Sequence, residues 1–118
     1  MVNMNIYNFI GLVDYRYALA LMKRMVKYRL EKLVGDTILI MEHKPVITIG
    51  VDGDISNIHI PHYSIPIYPV KRGGDVTLHS PGQLMVYPII KIDERNMRII
   101  DVIRLLEETT IQLLKYYD

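Results

Sequence analysis

Arg72-Gly73-Gly74-Asp75-Val76-Thr77-Leu78-His79-Ser80-Pro81-Gly82-Gln83, running on to Tyr87-Pro88, is the stretch on which the reading of this 118-residue chain turns. Two consecutive glycines permit a bend that a Cβ would obstruct, and they let backbone amides close around a ligand. Arg72 adds a permanent cation with a planar fork of donors. His79 supplies a group that can donate or accept near neutral pH. The polar run leads into an apolar segment of strand type, Leu84 to Ile92. A polar loop pinned to a buried strand is a common way to hold a small polar ligand group.

Working outward, Val76–His79 and Gln83–Ile92 read as two strands, with Pro81-Gly82 as the turn of a hairpin. Ile65 to Val70 carries two prolines and so fits only an edge or short strand. Asp52 to Ser64 reads as connection. Thr37–Glu42 and Val46–Ile49 read as strands, separated by the break at Lys44-Pro45. A helix is expected from Tyr15 to Leu33, with Asp14 as its N-cap and Gly35 as its stop. Ala18, Leu19, Met22, Met25, Val26, Leu30 and Leu33 fall on one face of it, and Arg16, Lys23, Lys27 and Glu31 on the other. A last helix starts near Asn96, with Ile99, Val102, Ile103, Leu106, Ile111 and Leu114 as its buried stripe. The order helix, strands, helix predicts a single domain over 1–118 of the α+β class (α/β layered). Its sheet is expected to be mixed and largely antiparallel, with helices packed on it.

Composition narrows the function. The chain is half hydrophobic and can build a core; its formal charge is +1, from 14 basic and 13 acidic residues. Neither a nucleic-acid arm nor a polybasic membrane patch fits that balance. There is no cysteine, hence no disulfide, thiolate metal site or cysteine nucleophile within these residues. Met1 to Tyr7 lacks the basic region and apolar run of a signal peptide, and no stretch approaches the roughly 20 apolar residues that span a bilayer. The expectation is a cytoplasmic protein that binds neither nucleic acid nor membrane.

Three blocks resemble one known family. Arg72, Gly73, Gly74, Thr77, His79, Pro81, Gly82, Gln83, Tyr87 and Pro88 match the signature of the lipoate-protein ligase B family, the octanoyltransferases of lipoate biosynthesis. Glu42-His43-Lys44-Pro45-Val46-Ile47-Thr48-Ile49-Gly50 resembles the family's Glu-His-x-Pro-x-x-Thr-x-Gly strand pair. Gly11-Leu12-Val13-Asp14-Tyr15, with Ala18 and Ala20, is a weaker third match. Leu78 stands where an aromatic is usual, Ser80 where a glycine is, and Met22 near a usual glutamine. The resemblance implies a fold similar to the biotin/lipoate protein ligase catalytic domain, here incomplete. It implies transfer of an octanoyl group from acyl carrier protein to a lysine of a lipoyl domain, in 2-oxoacid dehydrogenases or the glycine cleavage H protein. Thioester to amide is downhill, so no cofactor is implied. The family's later half carries a lysine and a cysteine that takes the acyl group as a thioester; neither position falls in this chain. Catalytic residues are therefore expected elsewhere, in a longer protein or in a second chain carrying the C-terminal half.

By this resemblance Arg72, Gly73, Gly74, Asp75, Val76, Thr77, Leu78 and His79 form the substrate-binding loop. The plainer alternative is that the glycines make only a tight turn and Arg72 pairs with an acid such as Asp75. Gln83 and Tyr87 read as structural, tying the turn to the sheet, and His43 as a satisfied packing residue rather than a base. His59 and His62 lack the companions of a metal site, and Asp52-Gly53-Asp54 lacks the further oxygens of a calcium loop. Lys71 and Lys91 read as surface charges. Met22, Met25 and Met85 read as core filler. Two other functions stay open: a non-catalytic subunit that binds acyl groups or their carrier, and an ATP-dependent lipoate or biotin ligase.

Overall fold

The computed structural model describes residues 4–61 and 64–117. Strand β1 (Met4–Val13) leads into helix α1 (Tyr15–Leu30), which returns the chain to β2 (Asp36–His43) parallel to β1. This is a β-α-β unit. β2 then pairs antiparallel with β6 (Met85–Ile89), giving a sheet of order β1-β2-β6. The second sheet has β3 (Val46–Ile49) at its centre, with β4 (Ile67–Pro69) parallel on one side and β5 (Val76–His79) antiparallel on the other. Helix α2 (Ile99–Tyr116) follows a single 3-10 turn at Ile92–Arg95. The class is α+β as expected, but the sheet is two mixed sheets, each with one parallel and one antiparallel pair.

Side-chain alternation decides what each strand buries. On β2, Leu39 and Met41 turn toward α1 and pack with Ala18 and with Ile89 of β6; Met22, Met25 and Met85 fill in around them. Alanine at position 18 lets the helix approach the sheet closely, since a larger side chain has no room in that fully buried contact. Asp14 caps α1 as expected, its carboxylate accepting from the Arg16 amide at 2.9 Å. The helix stops earlier than expected. Lys32 takes a left-handed φ of 59°, and the Leu33 amide donates back to the Tyr28 carbonyl. That is a Schellman-type end made without glycine, so Gly35 is not the stop.

A buried ion cluster anchors the far end of α1. The Asp36 carboxylate accepts from Arg29 Nε and from Arg95 Nε, each at 2.6 Å, and from the Lys91 amide at 3.1 Å. Arg29 also reaches Glu94, which in turn pairs with Lys91. Lys91 is thus a paired, half-buried group and not a bare surface charge. Burial works to raise the Asp36 carboxyl, but the Arg29, Lys91 and Arg95 donors outweigh it and hold the group below the ordinary aspartate range.

Three expectations fail. β1 has no counterpart in the sequence reading. The hairpin does not form: Gly82, at φ +89°, makes the expected turn and Gln83 N donates to Ser80 O, yet β5 and β6 leave that turn into different sheets. The apolar stripe of α2 exists but is not buried. Ile99 is 68% exposed and Leu114 62%, and no residue of α2 is buried. With this helix projecting, the Cα radius of gyration is 15.8 Å, against about 13.5 Å for a compact chain of this length.

Candidate functional site

The sequence blocks that carry the resemblance meet at the seam between the two sheets. Arg72 lies just after β4 and turns its guanidinium back across β3 and β5. Its Nη2 donates to Thr48 Oγ1 at 2.8 Å, Thr77 Oγ1 at 2.9 Å, Asp75 O at 3.0 Å and Thr48 O at 3.1 Å; its Nη1 donates to Gly73 O at 2.9 Å. Every acceptor is a neutral oxygen. Among the described residues no carboxylate pairs with Arg72, and the Asp75 carboxylate is engaged elsewhere, by the Asp54 amide and the Asn57 side chain. The alternative of an Arg72–Asp75 ion pair is therefore overturned. The cation is oriented by five oxygens and neutralised by none.

The glycines have separate tasks. Gly74 adopts φ +83°, a conformation that side chains disfavour. Gly50, at the end of the Glu-His-Lys-Pro block, lies under the bend; a Cβ there would come within 2.2 Å of the Gly74 carbonyl oxygen. The two sequence blocks are thus in backbone contact, and Gly50 N donates to Asp75 O to close the join.

His79 is buried at the end of β5. Its Nδ1 meets Gln83 Oε1 at 3.2 Å and its Nε2 meets Thr48 Oγ1 at 3.5 Å, so it sits one hydroxyl away from Arg72. Burial pushes its pKa down; the Gln83 contact opposes this, and His43 and Arg72 add to it. Gln83 ties the turn to the sheet as expected. Glu42 does the same from the other side, accepting from the Gly82 amide at 2.7 Å. His43 is fully buried, with Nδ1 on Val13 O at 3.0 Å and Nε2 on Tyr87 Oη at 2.7 Å, a satisfied histidine as expected. Tyr15 stacks on His79 at 5.9 Å and meets His43 edge-on at 5.4 Å. Burial raises the Tyr15 hydroxyl against the pull of Arg72, and burial with Tyr15 pushes Tyr87 up to about 12.

Beside this cluster lies a cleft of about 510 Å³. Leu19, Met22, Pro69 and Val70 give it apolar walls, Tyr15 and Tyr87 an aromatic floor, and Lys23, Lys71 and Arg72 its cations. No acid lines it. Of the predicted loop, Arg72 reaches the cleft; Thr77 holds Arg72, His79 stands behind Tyr15, and Gly73, Gly74 and Asp75 are exposed parts of the bend. Val76 is half-buried and Leu78 lies exposed on β5. Lys71, read as surface charge, is a lining residue. Sequence reasoning missed Tyr15, Leu19, Met22 and Lys23 as site residues. Only their position on the α1 face next to the third block could have pointed to them. His59 is exposed, and His62 lies outside the described residues. A smaller pocket of about 360 Å³ lies near Val26, Leu30 and Ile89; of its charged lining residues, Arg29 is already engaged by Asp36 and Glu94, and Lys91 by Glu94.

The site is thus an apolar cleft beside an arginine held on neutral oxygens, in a chain built as two mixed sheets with α1 packed on one of them. The chain belongs to the family described as lipoyl protein ligase A/B catalytic domain, whose profile matches residues 14–118. It is 43% identical over 112 residues to an octanoyltransferase of Caldicellulosiruptor bescii, covering 91% of this chain and 49% of that one. It is similar to an octanoyltransferase of Roseiflexus sp., 37% identical over 120 residues, with 98% and 50% covered. A probable octanoyltransferase of Pyrobaculum aerophilum is 39% identical over 109 residues, with 92% and 46% covered. The chain spans about half the length of these relatives.

Proposed function

We propose that this chain forms the acyl-binding part of an octanoyltransferase of lipoate biosynthesis. In this reading octanoyl-acyl carrier protein presents its thioester to the cleft, and the acyl group passes to a lysine of a lipoyl domain in the cytoplasm. Arg72 faces the acyl carbonyl, where its donor fork favours developing negative charge. Leu19, Met22 and Val70 surround the tail; full burial is worth about 0.8 kcal/mol per CH₂, which favours medium chains over short ones. The loop from Gly73 to His79 is the support that aims Arg72. The attacking thiolate and its lysine come from outside these 118 residues, supplied by a polypeptide equivalent to the other half of the relatives. The observation that carries this reading is the cation itself: Arg72 borders the cleft without a carboxylate partner among the described residues.

The test mixes this chain with the part of the Caldicellulosiruptor bescii octanoyltransferase that it does not span, then assays octanoyl transfer to a lipoyl domain. Transfer is expected from the mixture, not from the chain alone, and Arg72→Gln should abolish it. Turnover by the chain alone would overturn the placement of the nucleophile. A stable but inactive complex would favour the second reading, a non-catalytic acyl-binding subunit.

A further inference from the structure

We infer that the back of the first sheet and the apolar side of α2 dock the polypeptide equivalent to the other half of the relatives. The inference rests on the reading above that such a polypeptide completes the protein. It adds where that polypeptide binds and what its contacting face is made of. In β2, Ile38-Leu39-Ile40-Met41 is apolar without a break, so both faces of the strand are apolar. That is the pattern of a strand covered on both sides, as the parallel strands of β-α-β units are. The helix packed on this sheet is α1, and it lies on the side of Leu39 and Met41. On the other side the register sets Ile6, Ile38 and Pro88 in one row across the three strands, and Asn8, Ile40 and Val86 in the next. Ile6 is 62% exposed and Val86 46%.

α2 is bare in the same way. At helical spacing Ile99, Val102, Ile103, Leu106, Leu113 and Leu114 share one side, with Arg104, Glu108 and Lys115 opposite. No residue of the helix is buried, yet its base is firmly built. Asp36 holds Arg95 and the Lys91 amide, and Arg29 holds Glu94, just before the helix begins. The Arg98 amide then donates to Asp101 Oδ2 at 2.9 Å to cap it. A rooted, capped helix with an open apolar stripe is a presented surface, and apolar patches of this kind mark interaction sites. The family profile matches through residue 118, so the whole of α2 lies inside the family's domain. About half of each relative lies outside the matched span, and that half is what remains to cover the stripe. The covering face must itself be apolar, since a charge set against these side chains would be buried without a partner.

The test co-expresses the full chain with the segment of the Caldicellulosiruptor bescii octanoyltransferase that it does not span. Assembly is read by light scattering, affinity by titration, and coverage by amide hydrogen exchange. The chain alone is expected to be a monomer whose α2 amides exchange fast. The pair is expected to form a one-to-one complex in which those amides are protected. Ile103→Gln on α2 and Val86→Thr on the sheet should each weaken the complex about tenfold or more, because each removes an apolar side chain from the contact. Arg104→Gln, on the opposite side of α2, should change it by less than about twofold. Absence of a complex, or a complex that neither Ile103→Gln nor Val86→Thr weakens, would overturn the inference. So would slow α2 exchange in the chain alone, which would mean that the chain covers its own stripe. A dimer of the chain that these two variants dissociate would give the surface to a second copy and overturn it too. If a variant does not fold, the exchange pattern of the unaltered pair still decides. Octanoyl transfer by a pair whose assembly ignores both variants would sink this inference alone. Assembly through this surface, with transfer that survives Arg72→Gln, would sink the acyl-binding reading and leave this one standing.

Discussion

Gly50→Ala tests how the bend is held. The added Cβ would lie 2.2 Å from the Gly74 carbonyl oxygen and 2.9 Å from both Gly73 O and Arg72 Nη1. Two of these three are backbone atoms, which cannot rotate aside. Cβ contacts below 3.0 Å essentially never occur, so the bend must retreat by about 0.8 Å. Arg72 Nη2 now reaches its four acceptors at 2.8 to 3.1 Å. A retreat of that size carries them past hydrogen-bonding range. Overpacking costs about 1–3 kcal/mol. Lost bonds from the guanidinium add about 1 kcal/mol, a figure kept low because Arg72 is half-exposed and water can replace some of them. Urea denaturation of the full chain should register a loss of about 2–4 kcal/mol, and octanoyl-probe binding should fall with it. Gly73→Ala is the control: nothing lies within 4 Å of a Cβ there, and its loss should stay under about 0.5 kcal/mol. If Gly50→Ala is as mild as the control and keeps its ligand, the two sequence blocks are not locked together as argued.

Acid should weaken the fold in two stages, read by urea titration at stepped pH. Because the folded His79 pKa lies below 6.5, the unfolded chain takes up that proton first, and stability falls as the pH drops below 6.5. The folded Asp36 pKa likewise lies below 3.8, so its contribution is complete above that value and is lost beneath it as the folded carboxylate protonates. Asp36→Asn should shrink the second stage, to which the lowered Glu94 and Asp101 carboxyls also contribute, and, by leaving Arg29 and Arg95 without their buried carboxylate, cost about 3–5 kcal/mol at neutral pH; a change under about 1 kcal/mol would refute the cluster's role. Leu39→Ala, at a core position 1% exposed, should cost about 2–5 kcal/mol in the same assay. Asp14→Ala should cost about 0.5–2 kcal/mol through loss of the α1 cap, while a variant as stable as the parent would mean that the cap is idle.

How much could be read beforehand depended on whether a signal was local. Val46–Ile49 and Val76–His79 have the predicted bounds, because short β-prone runs between breaks leave little choice. The Pro81-Gly82 turn was legible from its glycine, but the partner of each strand was not. Turn chemistry sets a change of direction; burial decides which neighbour a strand finds, and β5 gains a place beside β3 while β6 lies beside β2. β1 was hidden because its apolar residues are broken by Asn5, Asn8 and Gly11, and Gly11, at φ +80°, falls where the pairing register shifts. The stripe of α2 was correctly seen as apolar, yet periodicity shows only which face would be buried, not whether anything covers it. Of the site, the Arg72 bend was legible from its unusual residues. The helix face opposite it was not, since Leu19 and Met22 look like any core positions until the tertiary arrangement puts a cavity in front of them.

The turn at Pro81-Gly82 hands the chain from one sheet to the other, and the cleft opens across that join: Arg72 and Val70 belong to one layer, Tyr15 and Tyr87 to the other. A guest molecule filling the cleft would therefore act as mortar between two slabs that share few covalent links. Occupancy should then be written into the solvent exchange of amides along both seams at once, far beyond the few groups the guest touches.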